Sequence, residues 1–166
     1  PRSLAVIGAS NNTAKWGGRI MCQILSSGYR GRIYPVNPKE SKIAGLKAYS
    51  DVLEIPDPVD LAIFTVKAAQ MPEVMQKCVR KGIRGGVIIS ADFAETGEEG
   101  KSLEEETTRI ARGGGLRFVG PNGNGIWTSA VSLNAWSMPQ PLPGALGFIS
   151  QSGTFGGIAT LTASTK

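Results

Sequence analysis

The sequence contains no histidine and only two cysteines among its 166 residues. Without histidine the chain carries no Ser-His-Asp triad, no Cys-His pair and no phosphohistidine. Cys22 and Cys78 lack metal-ligand spacing and have no histidine to assist them, so no metal is expected. They form no disulfide framework, which favours a reducing, cytoplasmic setting. Both fall within helical patterns and read as small buried hydrophobes. No apolar run approaches the ~20 residues that span a bilayer. The N-terminus enters the strand-like Leu4-Ala5-Val6-Ile7 almost at once, without the regions of a secretory signal. Lysine and arginine form no block, and no aromatic residues interleave a basic stripe. The formal charge of +5 is therefore a diffuse excess. It suits a phosphorylated small ligand better than nucleic acid, and nothing points to a membrane.

What is present is an ordinary globular composition, 41% hydrophobic and 19% charged. Five short apolar runs recur at about the spacing of a βαβ unit: Leu4–Ile7, Arg32–Val36, Leu61–Val66, Gly86–Ser90 and Leu116–Val119. Helical patterns separate most of them. The first spans Gly17 to about Ser27, with Ile20, Met21, Ile24 and Leu25 on one face and Gly28 as its stop. The second presents Met71, Val74, Met75, Cys78 and Val79, tolerates Pro72 in its first turn and ends at Gly82. The third spans about Glu98 to Arg112. Acids stand at its start and arginines at its end, Glu105 and Arg109 pair at i,i+4, and Gly113-Gly114-Gly115 closes it. The connection between Pro38 and Pro58 is irregular, with a short strand near Leu46–Tyr49 and a helical turn near Asp51–Ile55. Strands buried on both faces and alternating with helices predict an α/β fold, a Rossmann-like doubly wound parallel sheet.

After Val119 the composition changes. Gly, Pro, Ser, Asn and Trp dominate to Pro143, with a short strand at Val131–Ala135. Ala145–Ile149 then reads as a new strand, followed by Ser150-Gln151-Ser152-Gly153-Thr154 and a helical run to Lys166. The expected organisation is one Rossmann-like domain over residues 1–125, a linker over 126–144, and the truncated start of a second, flavodoxin-like α/β domain over 145–166.

In open parallel sheets ligands sit beyond the carboxyl ends of the strands at the topological switch point. The first strand is followed by Gly8-Ala9-Ser10-Asn11-Asn12-Thr13-Ala14-Lys15-Trp16-Gly17-Gly18. Gly8 permits a tight turn, and the loop offers backbone N–H groups with the side chains of Ser10, Asn11 and Thr13. Gly17 and Gly18 allow close approach at a helix N-terminus, which favours phosphate, and Lys15 adds a point charge. Gly8 and Gly18 stand ten residues apart, so this is neither G-x-G-x-x-G nor a P-loop. The second strand ends in Asn37-Pro38-Lys39, where an NAD-binding domain places an acid on the ribose 2′-hydroxyl. A cation there suits a phosphorylated ribose, as in NADP or coenzyme A; an exposed lysine turn is the bland alternative. Ala68, Ser90 and Ala91 are small enough to leave room for a ligand or to serve packing.

In order along the chain, Val6-Ile7-Gly8-Ala9-Ser10, Gly17-Gly18, the run Gly31 to Lys39, Pro58-Val59-Asp60-Leu61-Ala62, Ser90-Ala91, Gly120-Pro121-Asn122 and Ser150-Gln151-Ser152-Gly153 resemble one family. It is the coenzyme A-binding domain of nucleoside-diphosphate-forming acyl-CoA synthetases, the acetate–CoA ligase and succinyl-CoA synthetase alpha type. The resemblance implies that Gly8, Ala9, Ser10, Asn11, Asn12, Thr13, Lys15, Gly17 and Gly18 hold coenzyme A near its phosphates. It implies that Asn37 and Lys39 serve the adenosine side, and that Val66, Lys67, Ser90, Ala91, Asp92 and Asn122 line the cleft. Ser152, Gly153 and Thr154 would form a phosphate site of the phosphohistidine relay, whose histidine is expected beyond Lys166. No catalytic residue is assigned to this stretch. ATP or ADP and Mg would belong to the rest of the parent protein, whose remaining domains or partner subunit are the implied partners beside coenzyme A or acyl-CoA. The family often has Pro, Gly and Cys where Lys67, Asp92 and Gly123 stand. Alternatives are a coenzyme A-binding module of a protein acetyltransferase or stand-alone protein, and an NADP-binding oxidoreductase domain.

Overall fold

The computed structural model describes residues 1–136, 138, 142–145 and 147–163. Five parallel strands form one sheet: β1 (Ser3–Ile7), β2 (Arg32–Val36), β5 (Leu61–Phe64), β6 (Gly85–Ile88) and β7 (Arg117–Val119). Their order is β2-β1-β5-β6-β7. The chain thus leaves β1 toward one edge, returns over it, and builds toward the other edge from β5. The switch point lies between β1 and β5.

Side chains of a strand alternate between faces, and β1 shows what that does here. Ala5 and Ile7 join a core with α2 (Met71–Arg80) and α3 (Glu98–Gly113). Leu4 and Val6 join a second core with Ile20, Met21 and Ile24 of α1 (Trp16–Ser26). All five residues of β1 are buried, as a central strand covered on both faces requires. Its start is pinned by Asp60, whose Oδ2 accepts from the backbone N–H groups of Arg2 (2.6 Å) and Ser3 (3.2 Å).

The helices follow their apolar spacing. On α2 the buried residues are Met71, Met75 and Cys78, with Pro72 harmless in the first turn. On α3 they are Gly100, Thr107 and Ala111, small residues that let the helix lie close to its neighbours. Arg109 pairs with Glu106 at 4.0 Å rather than with the expected Glu105. On α1 Leu25 is 42% exposed, and Cys22 is exposed too, contrary to the buried reading. Ile20, Met21 and Ile24 already fill the narrow stripe facing the sheet, and Cys22 and Leu25 lie outside it. Cys78 is fully buried, and burial pushes its thiol up to about 12.

The irregular second connection forms a short antiparallel pair, β3 (Lys42–Ile43) and β4 (Leu46–Lys47), rather than one strand over Leu46–Tyr49. Tyr49 makes a single parallel bridge to Val36, which covers part of the β2 edge. A 3-10 turn over Val52–Glu54 follows, and Asp51 caps it by accepting from the Leu53 N–H at 2.9 Å.

Beyond β7 the structure departs from the expected linker. β8 (Gly125–Thr128) and β9 (Leu133–Trp136) pair as an antiparallel hairpin, and all four residues of β9 are buried. Leu133 and Ala135 enter the α1-side core. Among the described residues this face of the sheet carries α1 alone among the helices, and the hairpin covers apolar area that a linker would leave wet. The expected strand at Ala145–Ile149 is absent among the described residues of that stretch, where no neighbouring strand pairs with it and Ile149 is fully exposed. α4 (Gly153–Ala163) follows; the expected continuation to Lys166 lies outside the described residues. No helix among the described residues is long and apolar enough to cross a membrane.

Asp51 also meets Lys77 of α2 at 2.8 Å, and Lys77 meets Glu73 at 2.7 Å. Burial alone would raise the Asp51 carboxyl, but the Leu53 N–H and the Lys77 ammonium outweigh it and hold it below the usual carboxylate range. Such a group stabilises the fold above its unfolded pKa and ceases to do so as pH falls through its folded value. Asp51→Ala should therefore cost about 1–2 kcal/mol at neutral pH. In urea titrations the difference from wild type should shrink below roughly pH 4; a difference unchanged at acid pH would exclude the charge as its source.

Candidate ligand site at the strand ends

The end of β1 is held from both sides. The Thr65 N–H and Oγ1 both donate to the Ile7 carbonyl, at 2.9 and 3.0 Å. The Gly8 N–H donates to the Val36 carbonyl at 2.9 Å. Gly8 then turns with φ +89°, and an added Cβ would stand 2.8 Å from Thr65 Oγ1. The turn thus needs a glycine for its conformation and for its closeness to β5.

Ten residues on, α1 returns to this turn. An added Cβ on Gly17 would lie 2.0 Å from the Gly8 carbonyl oxygen, and one on Gly18 would lie 2.1 Å from that of Asn12. The two glycines therefore seat the helix on the loop, and the rim of that seat is what stays open. At the rim, Lys15 is the N-cap residue and provides no side-chain cap, and no acid stands in the first turn. Such an N-terminus favours an anion through its free N–H groups and the helix dipole.

The polar side chains of the loop divide by task. Ser10 is buried, and its Oγ accepts from the Asn12 N–H at 3.1 Å. Asn12 Oδ1 accepts from the Ala14 N–H at 2.9 Å. These two shape the loop. Asn11 reaches across to the second connection, where it donates to Glu40 Oε2 and to the Lys42 carbonyl and accepts from the Ala44 N–H. Asn37 donates to the Ala9 carbonyl at 2.8 Å and accepts from the Lys39 N–H at 2.8 Å. Thr13, Lys15 and Lys39 remain exposed, and neither lysine is in an ion pair among the described residues.

Across the switch point, Ser90 Oγ donates to the Val66 carbonyl and ties the end of β6 to that of β5. The Asn122 N–H donates to the Ser90 carbonyl at 2.9 Å, which brings the turn after β7 beside them. Val66 is half-buried, and Lys67, Ala91, Asp92 and Asn122 are exposed. Asp92 has φ +71°, the left-handed region where glycine is unstrained. Asp is among the side chains that tolerate the region best after glycine. Ser152 caps α4 by accepting from the Phe155 N–H at 3.3 Å, so Gly153 and Thr154 form its first turn. Gly153 lies against Asn124, close after the Asn122 turn.

The structure thus brings the predicted loops to one end of the sheet. It assigns Ser10, Asn11, Asn12, Asn37 and Ser90 to holding those loops. Sequence reasoning missed Thr65 and Glu40. Thr65 is visible only once strand register places it beside Gly8, and Glu40 only once Asn11 is seen to reach it. Among the described residues, no three His, Cys, Asp or Glu side chains cluster as for a metal.

The expected outcome of Gly17→Ala is a loss of about 2–3 kcal/mol, since its Cβ would overlap backbone that cannot swing aside. Gly113→Ala, at a helical position with nothing within 4 Å of the new methyl, should be neutral or add about 0.5 kcal/mol. Denaturant unfolding of both variants checks the pair, and equal effects would refute the packing role.

Residues 2–128 match the family model for the CoA binding domain. The chain is 44% identical over 160 residues to the ADP-forming acetate–CoA ligase II of Archaeoglobus fulgidus, covering 95% of this chain and 24% of that protein. It is 47% identical over 161 residues to the alpha subunit of the ADP-forming acetate–CoA ligase I of Pyrococcus furiosus, covering 94% of this chain and 35% of that one. Among solved structures it is similar to the dinucleotide-forming acetyl-coenzyme A synthetase 1 of Ca. Korarchaeum cryptofilum in complex with phosphate and ADP. That match has a TM-score of 0.92 and 36% identity, and covers 99% of this chain and 35% of that chain. The chain therefore spans between about a fifth and about a third of the length of the curated relatives it matches.

Proposed function

The chain belongs to the CoA-binding domain family, and on that premise we propose that its strand-end surface holds coenzyme A or an acyl-CoA within an ADP-forming acyl-CoA synthetase. The observation that carries this reading is the pairing of two cationic features on adjoining loops. One is the uncapped N-terminus of α1 with Lys15 beside it. The other is Lys39, on a turn that Asn37 ties to the Ala9 carbonyl. A pyrophosphate suits the first and a ribose phosphate the second, and coenzyme A carries both.

In this reading Thr13, Lys15 and the first turn of α1 meet the pyrophosphate. Lys39 meets the 3′-phosphate. Val66, Lys67 and Ser90 to Asp92 flank the pantetheine arm, which runs toward Asn122 and the Ser152-Gly153-Thr154 turn. The domain binds and orients the thiol. The parent protein, working in the cytoplasm, would combine an acid, coenzyme A and ATP to give acyl-CoA, ADP and phosphate. Its other domains or a partner subunit would supply the nucleotide site, Mg and the phosphorylated histidine.

Calorimetric titration with coenzyme A, NADP and NAD tests the assignment, and NADP binding without any heat from coenzyme A would overturn it. Lys39→Ala should weaken coenzyme A about tenfold, equivalent to ~1.4 kcal/mol, and change 3′-dephospho-coenzyme A little. Equal losses for the two ligands would remove Lys39 from the ribose phosphate.

A further inference from the structure

Asn11 stands in the phosphate loop, yet its side chain is spent on the neighbouring connection. All of its polar character is used there: Nδ2 donates to Glu40 Oε2 and to the Lys42 carbonyl at 2.9 Å, and Oδ1 accepts from the Ala44 N–H at 2.9 Å. The segment it grips is short. Asn37 to Glu40 is a turn closed by the Glu40 N–H on the Asn37 carbonyl at 3.4 Å, and β3 begins at Lys42. Lys39 lies inside the turn and Lys42 just after it, and both are exposed. Neither lysine forms an ion pair among the described residues, although the Glu40 carboxylate adjoins Lys39 in the chain.

We propose that Asn11 is a positioning residue: with Glu40 it clamps the Lys39 turn against the β1–α1 loop and engages the acid that would otherwise compete for the lysines. The inference rests on the coenzyme A reading and assigns the placement of its ribose-phosphate cation, Lys39, to Asn11 and Glu40, neither of which touches the ligand. An amide suits the task because it supplies donors to a carboxylate and a carbonyl and an acceptor to an N–H at once. An aspartate at the same place would have only acceptors, and beside Glu40 it would add a like charge.

The test is an exchange of the pair in the full chain, titrated with coenzyme A and with 3′-dephospho-coenzyme A. Asn11→Asp should weaken coenzyme A about tenfold and its dephospho form less than about twofold. Adding Glu40→Gln restores the bridge between positions 11 and 40 in the opposite sense, because the new amide at position 40 can donate to the new carboxylate at position 11, while the bond to the Lys42 carbonyl stays lost. The double variant should return to within about threefold of wild type. A direct contact between residue 11 and phosphate predicts no such rescue, since a carboxylate at position 11 would repel phosphate whatever stands at position 40. A double variant no better than Asn11→Asp, or equal losses for both ligands, overturns the clamp. Thermal unfolding checks folding. If Asn11→Asp alone does not fold, the exchanged pair still decides, through whether it keeps the preference for the 3′-phosphorylated ligand. A wild type that binds neither ligand overturns the coenzyme A reading and this inference together. A wild type that prefers coenzyme A, with an unrescued exchange, overturns the clamp alone.

Discussion

The closest backbone approach at the site is between the first turn of α1 and the loop it grows from. Gly17 faces the Gly8 carbonyl and Gly18 faces the Asn12 carbonyl, with no room for a Cβ at either. Everything at the strand ends depends on this seat. It sets where the free N–H groups of α1 point, it places Lys15 at the rim, and it gives the loop a floor against which Ser10 and Asn12 can shape it. A larger residue at either glycine would lift the helix, and with it the anion-favouring end of its dipole.

A second set of bonds joins loops that are distant in sequence. Asn11 and Asn37 connect the first loop to the second connection from opposite sides, and Ser90 joins the ends of β5 and β6. These are polar side chains satisfied by backbone groups, which is how irregular segments over a sheet meet their hydrogen-bonding needs without regular structure. The cost is that fewer side chains remain for a ligand. Those left without a side-chain bond among the described residues, Thr13, Lys15, Lys39 and Lys67, are exposed, and three of them are cations.

Regular elements were legible wherever one periodicity ran uninterrupted. β1, β2, α2 and α3 lie within a residue or two of where their patterns place them. The strands proposed over Leu61–Val66 and Gly86–Ser90 close earlier, at Phe64 and Ile88, because pairing stops where the loops of the site begin. The hairpin of β8 and β9 was half legible. A short strand was expected near Val131–Ala135, but a Gly- and Trp-rich stretch without helical period does not show that β9 will be buried. Its burial follows from a face of the sheet that carries a single helix. Ala145–Ile149 is the converse, an apolar run with the composition of a strand and, among the described residues, no strand beside it.

The sequence by itself determined the parallel α/β architecture, the end of the sheet whose loops form the candidate site, and the cationic character of that end. Alternation of apolar runs and helical stripes, turn glycines, and lysines where a nicotinamide site has an acid are local properties, and local chemistry suffices to read them. Only the tertiary structure decided which polar residues of the loops hold those loops and which, among the described residues, make no such bond. Asn11 and Lys15 look equally available in the chain, but Glu40, Lys42 and Ala44 come within hydrogen-bonding reach of Asn11, while Lys15 has no ion pair among the described residues. A hydrogen bond is decided by the position of both partners, and residues about thirty apart acquire that relation only when β1 and β2 lie side by side.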